Sequence, residues 1–295
     1  MSDEIPLVFK CGADDLVGIL HLPENGGKRG ILIVVGGPQY RVGSHRLFVD
    51  VARSLARAGI PVFRFDYRGM GDSGGHYLGF EHINEDIRAA LDTFEKKVPA
   101  LESFVLWGLC DAASAILFYA NSDARVKAIA LLNPWVRTVA GQARAYLKHY
   151  YLQRFLDPDF WRQWSSGKAK PLTMMRSLLK VLADAGRSDP GPPPAQPEQG
   201  TGTTIPAPAS DPAPLPDRMA RSLAAFLGHV LIVTSGKDLT AAEFNDVTRT
   251  SRRWRRLLCN PRLTHYELKE CDHTFSREAW QDEVATLTRK WIEIL

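Results

Sequence analysis

The sequence predicts an α/β fold, a mostly parallel, doubly wound sheet with a helical insertion, and three observations predict it. Short apolar runs recur at 31–35, 62–65, 104–107 and 231–234, and another closes at Tyr266-Glu267-Leu268. Helical stretches such as 47–58, 113–120 and 277–294 alternate with them. The connections are short and rich in glycine and aspartate, as strand-to-helix turns in such sheets are. The 295 residues exceed what a minimal sheet of this type needs, and a 45% hydrophobic content is ample for a large core.

Each element bears a distinct expectation. The strand at 31–35 runs into Gly36-Gly37-Pro38-Gln39, a loop with the backbone freedom to aim an N–H at a ligand. The strand at 62–65 leads to Asp66-Tyr67-Arg68-Gly69-Met70-Gly71-Asp72-Ser73, where Asp66 and Arg68 are suited to tie the loop down by charge-assisted hydrogen bonds. No lysine of the phosphate-loop type follows these glycines, so a nucleotide site is not indicated. Phe104-Val105-Leu106-Trp107, Gly108-Leu109-Cys110-Asp111-Ala112 and the helical run at 113–120 read as strand, sharp turn and helix, with a nucleophile at the bend. Small residues two positions either side of Cys110 let strand and helix approach. The start of the helix favours a thiolate there, while the Asp111 carboxylate disfavours it. The strand at 231–234 ends in Ser235-Gly236-Lys237-Asp238, and Cys271-Asp272-His273-Thr274-Phe275 presents a histidine just before the last helix.

This arrangement resembles the nucleophile elbow of the α/β-hydrolase superfamily, with cysteine in place of serine and Ala112 in place of the last glycine. The order nucleophile, acid, histidine is that family's order, and it implies Cys110, Asp238 and His273 as the catalytic set. His273 would take the proton of Cys110, Asp238 would hold the imidazole tautomer, and the sulfur would attack an acyl carbon. Asp272 competes as orienter, but adjacent side chains on extended chain point apart, which favours Asp238. Asp238 also suits an N-cap for the helix beginning near Ala241. The resemblance implies an oxyanion hole from the backbone N–H of Asp111 and one N–H of the 36–39 loop. Pro38 has none, so Gln39 is the better candidate for that donor, with Gly37 also in the expected hole. The Asp66–Ser73 segment is similar to the D-x-R-G-x-G-x-S loop common in the superfamily.

The domain expectation is an α/β-hydrolase core at 1–134 and 228–295 with a lid insertion at 135–227. Eight of the chain's 28 aromatic residues fall between Trp135 and Trp164, enough to roof an apolar pocket or to pack the insertion down. Ten of the 19 prolines fall at 187–217, a composition that predicts a disordered loop. Arg249, Arg252, Arg253 and Arg256 can share one face of a helix after Asp238, a solvated face or one suited to an anionic group.

The net charge of +4 gives no reason to expect a nucleic-acid partner, and no apolar run is long enough to span a bilayer. The polar start Met1-Ser2-Asp3-Glu4 does not read as a signal peptide, so a cytoplasmic location is the default expectation. Cys11, Cys110, Cys259 and Cys271 are irregularly spaced, which suggests neither a disulfide framework nor a metal site, and no cofactor is expected.

Within the superfamily, Gly-Leu-Cys-Asp-Ala-Ala-Ser, Gly-Gly-Pro-Gln-Tyr-Arg and Cys-Asp-His-Thr-Phe resemble the exosortase A system-associated hydrolase 1 family. That resemblance implies a bacterial setting in exopolysaccharide metabolism and a small-molecule, lipid-linked or saccharide-linked acyl substrate. The leading expectation is an esterase or thioesterase. An acyltransferase of the same fold and a non-catalytic ligand-binding scaffold are the alternatives.

Overall fold

A computed structural model describes residues 3–37, 39–136 and 211–295. The chain divides into two units, Met1–Val136 with Pro216–Leu295, and Arg137–Leu215. The second unit lies almost wholly outside the described residues, and with it the aromatic-rich segment beyond Val136 and most of the proline-rich stretch.

Among the described residues eight strands form one sheet: β1 (Asp3–Cys11), β2 (Asp14–Leu22), β3 (Arg29–Val34), β4 (Val62–Phe65), β5 (Ser103–Leu109), β6 (Val126–Leu132), β7 (His229–Ser235) and β8 (Leu263–Leu268). Their order is β1-β2-β4-β3-β5-β6-β7-β8. The six strands from β4 to β8 pair in parallel, whereas β1 and β2 form an antiparallel hairpin whose second strand runs antiparallel to β4. Gly12, at φ +61, opens the two-residue hairpin turn between Cys11 and Asp14, a φ that costs glycine least. The hairpin is an addition to the elements expected from sequence.

Among the described residues the α-helices are α1 (Leu47–Arg57), α2 (Asn84–Lys97), α3 (Asp111–Tyr119), α4 (Leu215–Ala225), α5 (Leu239–Thr250), α6 (Arg252–Leu258) and α7 (Glu278–Glu293). They divide between the two faces of the sheet because side chains alternate along each strand. On β5, Trp107 meets Phe48 of α1 edge-on at 5.9 Å and donates from Nε1 to Thr288 Oγ1 of α7 at 3.3 Å. Phe104, three residues earlier and so on the opposite face, packs on Phe94 of α2 at 5.5 Å. Covered on both faces, β3, β4 and β5 are almost continuously buried.

Two differences from the sequence reading have local causes. The compact core resumes at Pro216, earlier than the expected 228, because α4 is tied to it: Trp254 Nε1 donates to Pro216 O at 3.1 Å and Asn121 Nδ2 to Ser222 O at 2.8 Å. The arginine run does not lie on one helix. Ser251 takes extended backbone (φ −79, ψ 123), ends α5 and caps α6, so Arg249 stands on a different helix from Arg252, Arg253 and Arg256.

The parallel arrangement puts the carboxyl ends of β3, β5, β6, β7 and β8 along one edge. Val34 pairs with Gly108, Leu109 with Leu132, Leu132 with Val233 and Ser235 with Leu268, so the loops that follow them are neighbours. Ligands of such sheets bind at this edge. No helix among the described residues is long and apolar enough to cross a membrane.

Candidate active site

Cys110 sits between the last residue of β5 and the first of α3, at φ 65 and ψ −126, a conformation that side chains rarely adopt and that costs about 1–3 kcal/mol. The surroundings hold it there. Its N–H donates to Leu132 O at 2.9 Å, and its carbonyl accepts from Ala113 N at 3.1 Å and Trp135 N at 3.2 Å. The turn also needs a residue without a side chain at 108: a Cβ on Gly108 would lie 2.7 Å from Ile116 Cδ1 and 3.1 Å from the Ala112 Cβ. Ala112 fits where the usual pattern has glycine, fully buried in the first turn of α3. Cys110 is a half-buried residue, whereas Cys11 and Cys271 are buried and their thiols are pushed up to about 11, chiefly by burial.

Asp238 follows β7 and does two things at once. Its carboxylate caps α5, accepting from Thr240 N at 3.1 Å and Ala241 N at 3.0 Å, and its Oδ2 lies 2.8 Å from His273 Nδ1. The cap fixes the carboxylate, so the imidazole meets an acceptor already held in place. An ionised carboxylate only accepts, so Nδ1 carries the proton and Nε2 is left as a base. The Asp238 side chain is 6% exposed and that of His273 31%, a buried anion behind an accessible ring. Asp272 turns the other way, binding Ser276 through both its N–H and its hydroxyl.

Asn133, at the end of β6, is a positioning residue that the sequence reading did not name. At φ 43 it occupies the left-handed region that asparagine tolerates better than most residues. Its Oδ1 accepts from Ser235 N at 2.7 Å, while Nδ2 donates to Ser235 Oγ at 2.9 Å and to the His273 carbonyl at 3.0 Å. One amide thus joins the ends of β6 and β7 to the histidine loop. An asparagine just after a buried strand and before Pro134 was the available signal.

The 36–39 loop lies against the elbow. Gly37 N–H donates to Asp111 Oδ1 at 2.6 Å, and a Cβ on Gly36 would come 2.5 Å from that oxygen and 2.9 Å from Ala112 N. The side chain of Gln39 is engaged within its own loop, its Oε1 accepting from Ser44 N at 3.0 Å. Burial pushes the Asp111 carboxyl up, against the amides of Gly37, Ala112 and Asp111 itself and the charge of His273, which pull it down. The Asp66 loop is held as its residue types suggest. Buried Asp66 pairs with Arg41 and accepts from Asp72 N at 3.1 Å, and Arg68 binds Asp86 at 3.0 Å.

The family model described as "Serine aminopeptidase, S33" matches residues 28–184, more than half of the chain. The chain belongs to this hydrolase family. Its elbow carries Cys110 where the description names a serine. No curated protein matches it. Solved structures resemble it in fold: the Pyrococcus furiosus esterase Pf2001 is 12% identical over 99% of this chain and 90% of its own, with a TM-score of 0.61. Est1E from Butyrivibrio proteoclasticus, solved with ferulic acid bound, is 16% identical over 97% of each chain at 0.62. A dienelactone hydrolase from Anabaena variabilis is 13% identical over 99% of this chain and 97% of its own at 0.59. The chain is therefore an α/β-hydrolase in fold and family.

Proposed function

We propose that this α/β-hydrolase is an acyl hydrolase of the esterase or thioesterase type, working through a covalent acyl-enzyme on Cys110. The observation that carries the reading is the His273–Asp238 pair at 2.8 Å, on the loops beside a strained elbow that bears a thiol. His273 Nε2 takes the proton of Cys110 as Sγ adds to the acyl carbon, and the carbonyl oxygen becomes an oxyanion. Collapse expels the alcohol or thiol, which receives that proton from His273, and leaves a thioester. Water then gives a proton to His273 as it adds to the thioester carbon. Breakdown releases the carboxylic acid and returns the proton to the sulfur. Asp238 stays ionised throughout and stabilises the imidazolium that forms twice per turnover.

The esterases among the structural relatives support an oxygen ester as the first substrate to try. The sequence resemblance to the exosortase-associated family supports an acyl donor from bacterial exopolysaccharide metabolism, saccharide-linked or lipid-linked, as the natural substrate. A reducing cytoplasm would keep the thiol available.

Intact-protein mass spectrometry after incubation with a panel of acyl esters and acyl thioesters tests the reading. An added acyl mass that maps to Cys110 and is absent from Cys110→Ala is the expected result. Turnover that survives Cys110→Ala would overturn it. A Cys110 that alkylates no faster than an ordinary thiol, whether or not His273 is replaced by alanine, would favour a binding scaffold instead. Product release that requires an added polyol acceptor would point to acyl transfer.

A further inference from the structure

Several surface arginines of this chain stand against a carboxylate. Arg53 reaches Glu4 at 2.5 Å, Arg125 reaches Asp92 at 2.7 Å, Arg249 reaches Asp246 at 2.6 Å and Arg289 reaches Glu293 at 2.9 Å. Helix α6 breaks this habit. Arg252, Arg253, Arg255 and Arg256 are all exposed, and among the described residues none of the four has an ion pair or a side-chain hydrogen bond.

The opposite side of the same helix fixes this face. Trp254 is 1% exposed, meets Phe244 of α5 edge-on at 5.4 Å and donates from Nε1 to Pro216 O at 3.1 Å, while Leu257 and Leu258 are half-buried. With that side turned inward, the helical period leaves all four arginines on the other, at i,i+3 and i,i+4 spacing. Like charges at that spacing repel, and Arg252 and Arg253 stand in a first turn with no acidic residue, at the positive end of the helix. The fold gains nothing from these charges, and a bound anion would remove their cost.

Shape and chemistry narrow the anion. Four exposed arginines on one short helix make a ridge without walls, which cannot enclose a single small phosphate but can meet several phosphates lying in one plane. Guanidinium groups take phosphate oxygens in pairs. The ridge has no exposed aromatic ring to stack on a base, since Trp254 faces inward, and a net charge of only +4 is small for a nucleic-acid binder. Arg262, in the turn that leaves α6, donates from Nη1 to the carbonyl of Leu227 at 2.6 Å, and that leucine is 74% exposed. An apolar side chain near cations suits a layer that is anionic at its surface and apolar just below.

We propose that the arginine face of α6, with Leu227 at its foot, is a docking surface for an anionic phospholipid bilayer. The four arginines pair with lipid phosphates, and Leu227 enters the boundary of the acyl chains. Arg262 and Leu227 precede the amino ends of β8 and β7, whereas Cys110 follows the carboxyl end of β5, so docking leaves the edge that bears the elbow uncovered. The surface is independent of the acyl-hydrolase reading.

Sedimentation of the full chain with vesicles of phosphatidylcholine, alone or with about one-third phosphatidylglycerol, tests the surface. Wild type is expected to partition onto the anionic vesicles at least about tenfold more than onto the neutral ones, and less as salt rises. Arg252→Gln, Arg253→Gln, Arg255→Gln and Arg256→Gln together are expected to lower that partition at least about 10²-fold, at about fivefold per charge removed, with a melting temperature no lower than wild type. Leu227→Ser is expected to weaken vesicle binding severalfold and to leave retention on dextran sulfate unchanged, since that polyanion has no apolar layer. Wild type that ignores the anionic vesicles, or a folded quadruple variant that binds them as well, overturns the inference. Full vesicle binding by Leu227→Ser overturns it too, because the face would then be a general polyanion surface. So does retention of wild type on a nucleic-acid duplex at a salt concentration that releases the vesicles. Where the quadruple variant does not fold, Arg253→Gln and Arg256→Gln taken singly decide: about fivefold weaker partition in each supports the inference, and unchanged partition in both overturns it.

Discussion

Asn133 Nδ2 donates to the carbonyl of His273 at 3.0 Å, a bond that spans 140 residues of chain and connects the end of β6 to the loop of the candidate base. The same side chain holds Ser235, three residues before Asp238, at both its N–H and its hydroxyl. Base and orienter are therefore set by one buried amide as well as by their own bond.

Replacing Asn133 with alanine removes all three bonds and puts at φ 43 a residue that tolerates the left-handed region less well than asparagine. The expected loss is about 2–4 kcal/mol of stability, from unsatisfied buried groups and left-handed strain. The catalytic signature is a fall in kcat larger than any change in KM, because the histidine loop loses its anchor while binding surfaces elsewhere are untouched. Urea titration and steady-state kinetics on one preparation check both, and a variant with wild-type kcat would reduce Asn133 to a stability role.

The two duties of Asp238 separate under two substitutions. Asparagine also caps helices well, so Asp238→Asn should change stability by only a few tenths of a kcal/mol, while alanine should cost about 1 kcal/mol through the lost cap of α5. Both should lower kcat by about 10²- to 10⁴-fold, because a neutral amide neither fixes the Nδ1–H tautomer nor stabilises the imidazolium. Unchanged turnover in both variants, with stability lost only in the alanine variant, would leave Asp238 as a cap alone.

Gly108 measures how tightly β5 and α3 approach. The two nearest atoms to a new Cβ are a flexible methyl, Ile116 Cδ1 at 2.7 Å, and the backbone carbon of Ala112 at 3.1 Å. The methyl can move and the backbone cannot without turning the elbow. Gly108→Ala is expected to cost about 1–3 kcal/mol through overpacking and to lower kcat/KM in parallel. Thermal melts and ester kinetics read the two, and a second substitution, Ile116→Val, should recover stability better than activity.

The elbow was legible because its constraint is local: strand, strained apex and helix occupy one stretch, and Gly108 and Ala112 mark the close approach. Asp238 was legible as a turn residue after the buried strand β7 and His273 as a loop residue just before the last helix, and their meeting follows from β7 pairing in parallel with β8. The β1–β2 hairpin was not read, since β1 is largely exposed and carries Pro6, a residue confined to strand edges, so its apolar pattern is weak. Helix α4 was hidden by its proline-rich flank, although Pro216 sits at its second position, where a missing N–H costs little. The role of the Asp111 side chain depends on Gly37, 74 residues earlier, and no spacing rule reports such an approach. The hydrogen bonds of Asn133 are equally non-local.

A pH response is built into the sheet far from the thiol, at His21. Its ring is fully buried on β2, and Nε2 accepts from Arg64 Nε at 2.8 Å, a bond that only the neutral imidazole can make. Burial first, and then the Arg64 charge, lower its pKa from the usual 6.5 to about 4, against a smaller opposing pull from Glu4. Between these values the unfolded chain binds the proton and the folded one does not, so stability rises with pH. The contribution is complete above about pH 6.5, is lost as pH falls through that window, and is gone below about pH 4. The size is about 3 kcal/mol across the window, at about 1.4 kcal/mol for each tenfold change in proton affinity. His21→Gln keeps an acceptor for Arg64 but does not titrate, so its urea midpoint should fall less than that of wild type between pH 7 and pH 4.5. Parallel decline of the two proteins over that range would show that His21 is not protonated on unfolding.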